Sequence, residues 1–125
     1  MTWISCLTSS KSIDAIFSDP PKLTAVRVHE IVLHQDGPRL SVRLDLNDFP
    51  RSPPQKWIAN GLNCVQLTLS FFEVRSLEIR GWSLNNVVDI AISRTATGIL
   101  LNMDGAGTDV SAEVSFALLE KISAY

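Results

Sequence analysis

The residues that could bind a metal ion are scattered along this sequence. A metal site needs converging histidine, cysteine or carboxylate ligands. His29 and His34 have opposite parity along one predicted strand, so they face opposite ways, and no cysteine lies near either. His34 and Asp36 flank a turn, as a surface histidine beside a hairpin would. The pattern predicts no metal site.

One spacing is similar to part of a calcium-binding motif. Gly105, Gly107 and Asp109 match a fragment of the nonapeptide repeat, which binds calcium only when several copies stack. This sequence has a single copy. The two glycines are better explained as turn residues that tolerate positive φ.

Nucleophilic catalysis is also poorly supported. A serine or cysteine nucleophile needs a positioned base, but the sequence has no G-x-S-x-G elbow and no Walker loop after a strand. Cys6 and Cys64 lie among apolar neighbours without a histidine partner, which is typical of buried free thiols. We therefore expect no enzyme, no catalytic residue and no cofactor.

Length and composition favour one compact domain spanning residues 1–125. Hydrophobic residues make up 46% of the chain, enough for a core without disulfides or metals. The N-terminus does not resemble a signal peptide, and no apolar run approaches the roughly 18 residues of a membrane helix. These features predict a cytoplasmic protein that does not contact a membrane.

The charge is nearly balanced but unevenly placed. The formal net charge of −2 predicts no nucleic-acid binding. Residues 1–100 carry ten basic and nine acidic side chains, whereas residues 101–125 carry one basic and four acidic ones. This acidic end could face a basic partner, or it could be an ordinary solvated surface.

Periodicity predicts a mainly β protein. A short helix is expected over residues 9–18, and a strand over 23–34 needs a β-bulge near His29 and Glu30 to keep its pattern. Alternating runs follow over 40–46, 65–71, 77–80, 87–93, 99–103 and 110–118. The expected architecture is an antiparallel β-sandwich or half-open barrel of about seven strands with one short N-terminal helix.

The stretch over residues 63–82 is predicted to form the centre of this fold. Val65, Leu67, Leu69 and Phe71 alternate with polar residues and should face the core. A short connection separates the run over residues 65–71 from the run over residues 77–80, so these two strands are expected to form a meander. Trp82 is expected to close it by packing on the core. Trp57, at the end of a proline-rich loop, is expected to plug the core.

Scattered residues over most of the chain carry a family resemblance. They are Trp3, Asp19-Pro20-Pro21-x-Leu23, His29-Glu30-Ile31, Asp36-Gly37-Pro38, Pro54-x-Lys56-Trp57, Gly61-x-Asn63-x-Val65-Gln66, Gly81-Trp82 and Tyr125. In order and spacing the sequence resembles the immunity protein 50 family of bacterial polymorphic-toxin systems. The resemblance implies a small cytoplasmic protein that binds a cognate toxin domain and blocks it. It supplies no catalytic residues.

Two segments supply candidate contacts to a toxin. The first is the proline-rich loop over residues 47–61, because long loops often carry binding function. The second is the acidic end of the chain, because acidic surfaces suit basic, nucleic-acid-directed toxins. The candidate residues are Asp48, Arg51, Lys56, Asp104, Asp109 and Glu113.

Two other classes of function remain open at this point. A barrel lined by Phe71, Trp57 and Trp82 could hold a small molecule, or the chain could be an enzyme whose residues assemble from distant positions. A structural module that self-associates through a sheet edge is a further possibility. The sequence does not fix the oligomeric state.

Overall fold

The computed structural model describes residues 3–125 as a sheet with three short helical segments. The elements are a 3₁₀ helix at Trp3–Cys6, α1 at Lys11–Asp14, β1 at Val26–His34, β2 at Arg39–Asp45, α2 at Gln55–Ala59, β3 at Val65–Phe72, β4 at Ser76–Arg80, β5 at Asn86–Arg94, β6 at Ile99–Gly105, β7 at Asp109–Val114 and β8 at Phe116–Ala124. None of the helices in this described part has the length and apolar character needed to cross a membrane.

The eight strands form one antiparallel sheet that does not close on itself. Their order is β4-β7-β6-β5-β1-β2-β3-β8. Strand β1 pairs with β2 along most of its length but with β5 only over residues 26–28. This short seam divides the sheet into a β5 half, made of β4, β7, β6 and β5, and a β1 half, made of β1, β2, β3 and β8.

Alternating side chains place one apolar face of each half against a common core. Leu67, Leu69 and Phe71 of β3 are buried, and so are Val88 of β5 and Leu101 of β6. All of them belong to one hydrophobic cluster. Burial of a large aliphatic or aromatic side chain contributes roughly 1.5–3 kcal/mol, so this cluster supplies the main driving force for folding.

The N-terminal segment covers part of the core between the two halves. The Cys6 Sγ lies 3.8 Å from the carbonyl oxygen of Ile92 in β5. The backbone N–H of Thr8 donates to the carbonyl of Ala117 in β8 at 2.9 Å. Ile13 of α1 is fully buried. Packing on the sheet therefore stabilises a helix that is too short to form alone.

The structure confirms the mainly antiparallel β class and several local predictions. The β1–β2 hairpin forms, and its register shifts between Val28 and Glu30, where the sequence requires a bulge. Trp57 is partly buried against the core. For residues 118–122 the sequence pattern favours a strand over a closing helix, and these residues do lie in strand β8.

Eight strands are present where about seven were expected, because the strand predicted over residues 110–118 is divided between β7 and β8. The alternation changes phase at Ser115, so Ala117 and Leu119 are buried whereas Phe116 is 54% exposed. Strand β7 pairs with β6 and β4, but β8 pairs with β3. The break carries the chain from one half of the sheet to the other.

Four further expectations were wrong or incomplete. The predicted meander of β3 and β4 does not form, since β4 pairs with β7 at the opposite end of the sheet. Trp82 is 49% exposed and does not close the core. The predicted irregular loop contains α2, which starts directly after Pro54. The N-terminal helix α1 spans Lys11–Asp14 and is shorter than predicted.

Candidate functional site

A row of carboxylates crosses the outer face of the β5 half. Asp89 of β5 lies opposite Asp104 of β6, which lies opposite Asp109 of β7, which in turn lies opposite Arg80 of β4. Strand alternation causes this arrangement, because the hydrophobic neighbours of each aspartate point into the core. Val88, Met103 and Val110 are each 2% exposed.

The neighbouring positions extend this row into an exposed polar face. The next row across the same strands contains Ala91, Asn102, Ser111 and Glu78. Glu113 lies one row further along β7, opposite Leu100 and Ser76. A shallow depression of about 610 Å³ lies over the aspartate row, between β4 and β5. We call this surface, defined by Glu78, Asp89, Asp104, Asp109 and Glu113, the acidic face.

Few of the charges on the acidic face are neutralised. Asp89 accepts a hydrogen bond from the backbone N–H of Ala25 at 2.8 Å. The Nε of Arg80 donates to Glu78 at 2.6 Å. Within residues 3–125, no hydrogen bond or ion pair reaches the carboxylates of Asp104, Asp109 or Glu113. Like charges directly opposite each other on paired strands are destabilising, so this pairing costs stability.

The structure brings together one of the two predicted sets of contacts. Asp104, Asp109 and Glu113 all lie on the acidic face, but Asp104 and Asp109 occupy paired strands and not the predicted turn. Asp89 and Glu78 complete the face and were missed, although their alternation with buried neighbours is visible in the sequence. What the alternation does not show is that β4 pairs with β7.

The loop residues form a separate set. A carboxylate oxygen of Asp48 accepts the backbone N–H of Lys22 at 3.0 Å, so this side chain positions the loop. Asp48 and Arg51 line a depression of about 290 Å³ that shares no residue with the one on the acidic face. Lys56 is exposed on α2.

A second polar cluster is centred on Asp45 at the end of β2. One carboxylate oxygen lies 2.7 Å from the Nε2 of His29 and also accepts the hydroxyl of Tyr125. The other accepts the side-chain amide of Gln66 at 3.0 Å. The β-bulge in β1 turns His29 towards Asp45, as bulges commonly redirect one side chain. Asp45 is only 8% exposed and connects β1, β3 and the residue after β8.

Hydrogen bonds and burial in the Asp45 cluster shift the pKa values of Asp45, Tyr125 and the neighbouring Cys64. Burial raises the pKa of Asp45, but the hydrogen bonds from His29, Tyr125 and Gln66 outweigh it and hold the pKa below 3.8. The hydrogen bond to Asp45 raises the pKa of Tyr125. Burial raises the pKa of Cys64, which keeps this free thiol protonated and weakly nucleophilic. The cluster therefore acts as a structural anchor.

The three aromatic residues considered as a ligand lining lie in different environments. Phe71 is fully buried in the core. The ring of Trp57 packs against that of Phe49, with centroids 6.1 Å apart, and Trp82 is half exposed. Across the described chain, no group of three or more histidine, cysteine or carboxylate residues is placed to hold a metal ion.

Comparison with known proteins identifies a family. The family model for immunity protein 50 matches residues 9–125, nearly the whole chain. No curated protein and no solved structure matches the chain. The chain belongs to the immunity protein 50 family.

Proposed function

We propose that this chain neutralises a cognate toxin domain by binding and occluding it, without catalysis, and that the acidic face is the contact surface. Family membership supports the general role. The observation that supports the location is the register of Asp89, Asp104 and Asp109, three carboxylates directly opposite one another with Arg80 as the one cation of the row. A protein keeps such a costly arrangement when a partner compensates its charge.

The partner that fits this face is a protein with a basic surface. Complementary charge speeds association and selects among partners more than it adds affinity. Toxin domains that cleave or modify nucleic acids carry basic surfaces, since they bind phosphates. A carboxylate row could occupy such a surface in place of the nucleic acid. The acidic face would then exclude the substrate from the toxin.

The dimensions of the face suit the centre of an interface. Four strands spaced about 4.8 Å apart give a surface about 15 Å wide between the outer strands. A stable protein interface buries roughly 800 Å² on each partner, so flanking segments must contribute its rim. Asp48, Arg51 and Lys56 stay candidates for a separate, secondary contact through the loop.

Binding without catalysis agrees with how the reactive side chains are used. His29 and Tyr125 both bond to Asp45, and burial keeps Cys64 protonated. These groups therefore contribute to folding. We place the protein in the cytoplasm of the bacterium that produces the toxin, where the toxin would otherwise act on its own cell.

Rescue of cells from the toxin domain encoded beside this gene tests the role. Co-expression of the wild-type chain should restore growth, and the two proteins should co-purify. The double variant Asp104→Asn/Asp109→Asn should lose most of this protection. A matched control, Asp36→Asn/Glu73→Gln, removes the same charge from exposed positions outside the acidic face and should protect fully.

The outcomes separate the role from the location. Failure of the wild-type chain to bind the toxin or to rescue growth would refute the proposed function. Full protection by both double variants would leave the function standing and refute the acidic face as the contact surface. Loss of protection in the control variant alone would indicate that the toxin contacts the turns after β1 and β3 instead of the acidic face.

A further inference from the structure

Strand β4 lies at one end of the sheet, and its outer edge has no strand partner within residues 3–125. It pairs with β7 on one side, and no strand or backbone hydrogen bond from residues 3–125 reaches its other side. The opposite end of the sheet differs, because Leu7 forms a parallel bridge with Ala117 of β8 and Thr8 donates to the same residue. A free strand edge is a template for pairing with another chain.

Apolar side chains are exposed beside this free edge. Ile79 of β4 is 41% exposed, and Trp82, just beyond the strand, is 49% exposed. Together with Ile31 and Leu33 of β1 they line a depression of about 360 Å³, whose remaining lining residues are His29 and Glu30. A contiguous apolar patch of this kind on a folded protein often marks an interaction surface.

The sequence of β4 is complementary to itself in an antiparallel pair. A two-fold axis through Ile79 would place Glu78 opposite Arg80 of a second copy, and Arg80 opposite its Glu78. Opposite charges facing each other across strands stabilise a pair, and two-fold symmetry gives this contact twice. Glu78 and Arg80 already bond to each other on the acidic face, so both are positioned on the same side of the strand.

We propose that this chain forms a homodimer through antiparallel β4–β4 pairing centred on Ile79. The two sheets join into one, with the Glu78 and Arg80 side chains on the outer face. Ile79 of the two copies meets on the other face, beside Trp82. This contact involves neither a toxin nor the remaining carboxylates of the acidic face, so it stands independently of the proposed function.

The dimer is expected to be weak. Five residues per strand give an interface at the small end of those known, where association is transient. It should therefore be measured over at least about a hundredfold range of concentration, by sedimentation or light scattering. Association that increases with concentration is expected for the purified wild-type chain. A monomer throughout this range would overturn the proposal.

Charge exchange tests the predicted register. Glu78→Arg places two arginines opposite each other at both symmetric positions, and Arg80→Glu places two glutamates there. Each variant alone should self-associate at least about tenfold more weakly than the wild type. An equal mixture of the two restores opposite charges across the pair, so it should associate at least as well as the wild type.

Recovery on mixing distinguishes pairing from loss of folding, because two unfolded or damaged chains would not repair each other. Single variants that associate like the wild type, or a mixture that fails to recover, would overturn the β4 register.

A cysteine at the symmetry axis gives a second test. Directly opposed residues in antiparallel strands have Cα atoms about 4.5–5.5 Å apart, within the range that a disulfide spans. Ile79→Cys should therefore form a disulfide-linked dimer under mild oxidation. Ser93→Cys, exposed on β5, is the matched control and should stay monomeric. Equal cross-linking of both variants would contradict the predicted contact.

Discussion

The charged side chains on the outer faces of the two sheet halves differ in how they are paired. On the β1 half, Arg43 pairs with Glu30 at 3.1 Å, and Asp45 accepts three side-chain hydrogen bonds. On the β5 half, Asp104 and Asp109 face each other across paired strands without a cation between them. The polar groups of the first face bond to one another and stabilise the fold. Asp104 and Asp109 of the second face have no such partner within residues 3–125, which leaves them available to another molecule.

If the acidic face is the contact surface proposed above, this contrast separates stability from function within one sheet. Both halves bury the same kind of apolar side chains in one cluster, so the core does not distinguish them. Natural proteins tolerate locally unfavourable arrangements mainly at functional sites. Changes on the β1 half should therefore alter stability, and changes on the acidic face should alter binding with little loss of stability.

The largest expected effect is in the shared core. Leu69 is 1% exposed and lies opposite Val42 on β2 and Leu119 on β8. Leu69→Ala should lower the free energy of unfolding by about 2–5 kcal/mol, because it removes buried methyl groups and leaves a cavity. Urea unfolding measures the change. A loss within experimental error of zero would contradict the place of Leu69 in the shared core.

Replacing the Asp45 anchor should give the next largest effect. Asp45→Asn removes a charged acceptor shared by His29, Gln66 and Tyr125, which should cost about 1–3 kcal/mol at neutral pH. Asp36→Asn, in the exposed β1–β2 turn, is the control and should cost almost nothing. Equal melting temperatures for the two variants would remove Asp45 from the structural account.

The same anchor should give a pH dependence with a defined sign. The pKa of Asp45 is lower in the folded protein than the ordinary value of 3.8. Its carboxylate therefore stabilises the fold fully above that value, and this contribution disappears as pH falls through the folded pKa. The stability difference between the wild type and Asp45→Asn should be constant near neutral pH and should shrink below about pH 4. A difference that grows on acidification would contradict this assignment.

Neutralising a carboxylate on the acidic face should have the opposite effect on stability from neutralising Asp45. Asp104→Asn removes the repulsion from both Asp89 and Asp109 and should leave stability unchanged or raise it by up to about 1 kcal/mol. The same variant should weaken binding to a basic partner. Chemical denaturation checks the first part. A clear loss of stability would mean that Asp104 has a structural role like that of Asp45.

The smallest effect is expected in the proline-rich loop. Arg51 is exposed, and Arg51→Ala should change the free energy of unfolding by less than about 0.5 kcal/mol. Thermal unfolding of this variant beside Leu69→Ala measures the contrast. Matching shifts for the two variants would refute the division between a structural core and a surface loop.

The sequence predicts local features of this fold better than its pairings. Alternation alone identifies β2, β3 and β5, and the phase slip at His29 identifies the bulge, because each depends on neighbours along the chain. The position of β4 depends on long-range pairing with β7, so its alternation could not reveal its place at the far edge of the sheet.

The two clusters differ in the same way. Asp104 and Asp109 could be chosen from local charge, although their direct opposition could not. The Asp45 anchor joins residues as far apart as 80 positions in the chain, through a bulge that redirects one of them. No local pattern shows that His29, Gln66 and Tyr125 converge on one carboxylate.

The most direct test of the acidic face is the association rate of the purified chain with the proposed cognate toxin domain, measured at several salt concentrations. The wild type should associate quickly, and its rate should fall steeply as salt screens the carboxylates. Asp104→Asn/Asp109→Asn should associate more slowly and depend less on salt, while Asp36→Asn/Glu73→Gln should match the wild type. Identical rates and salt dependence for the wild type and both double variants would contradict the account.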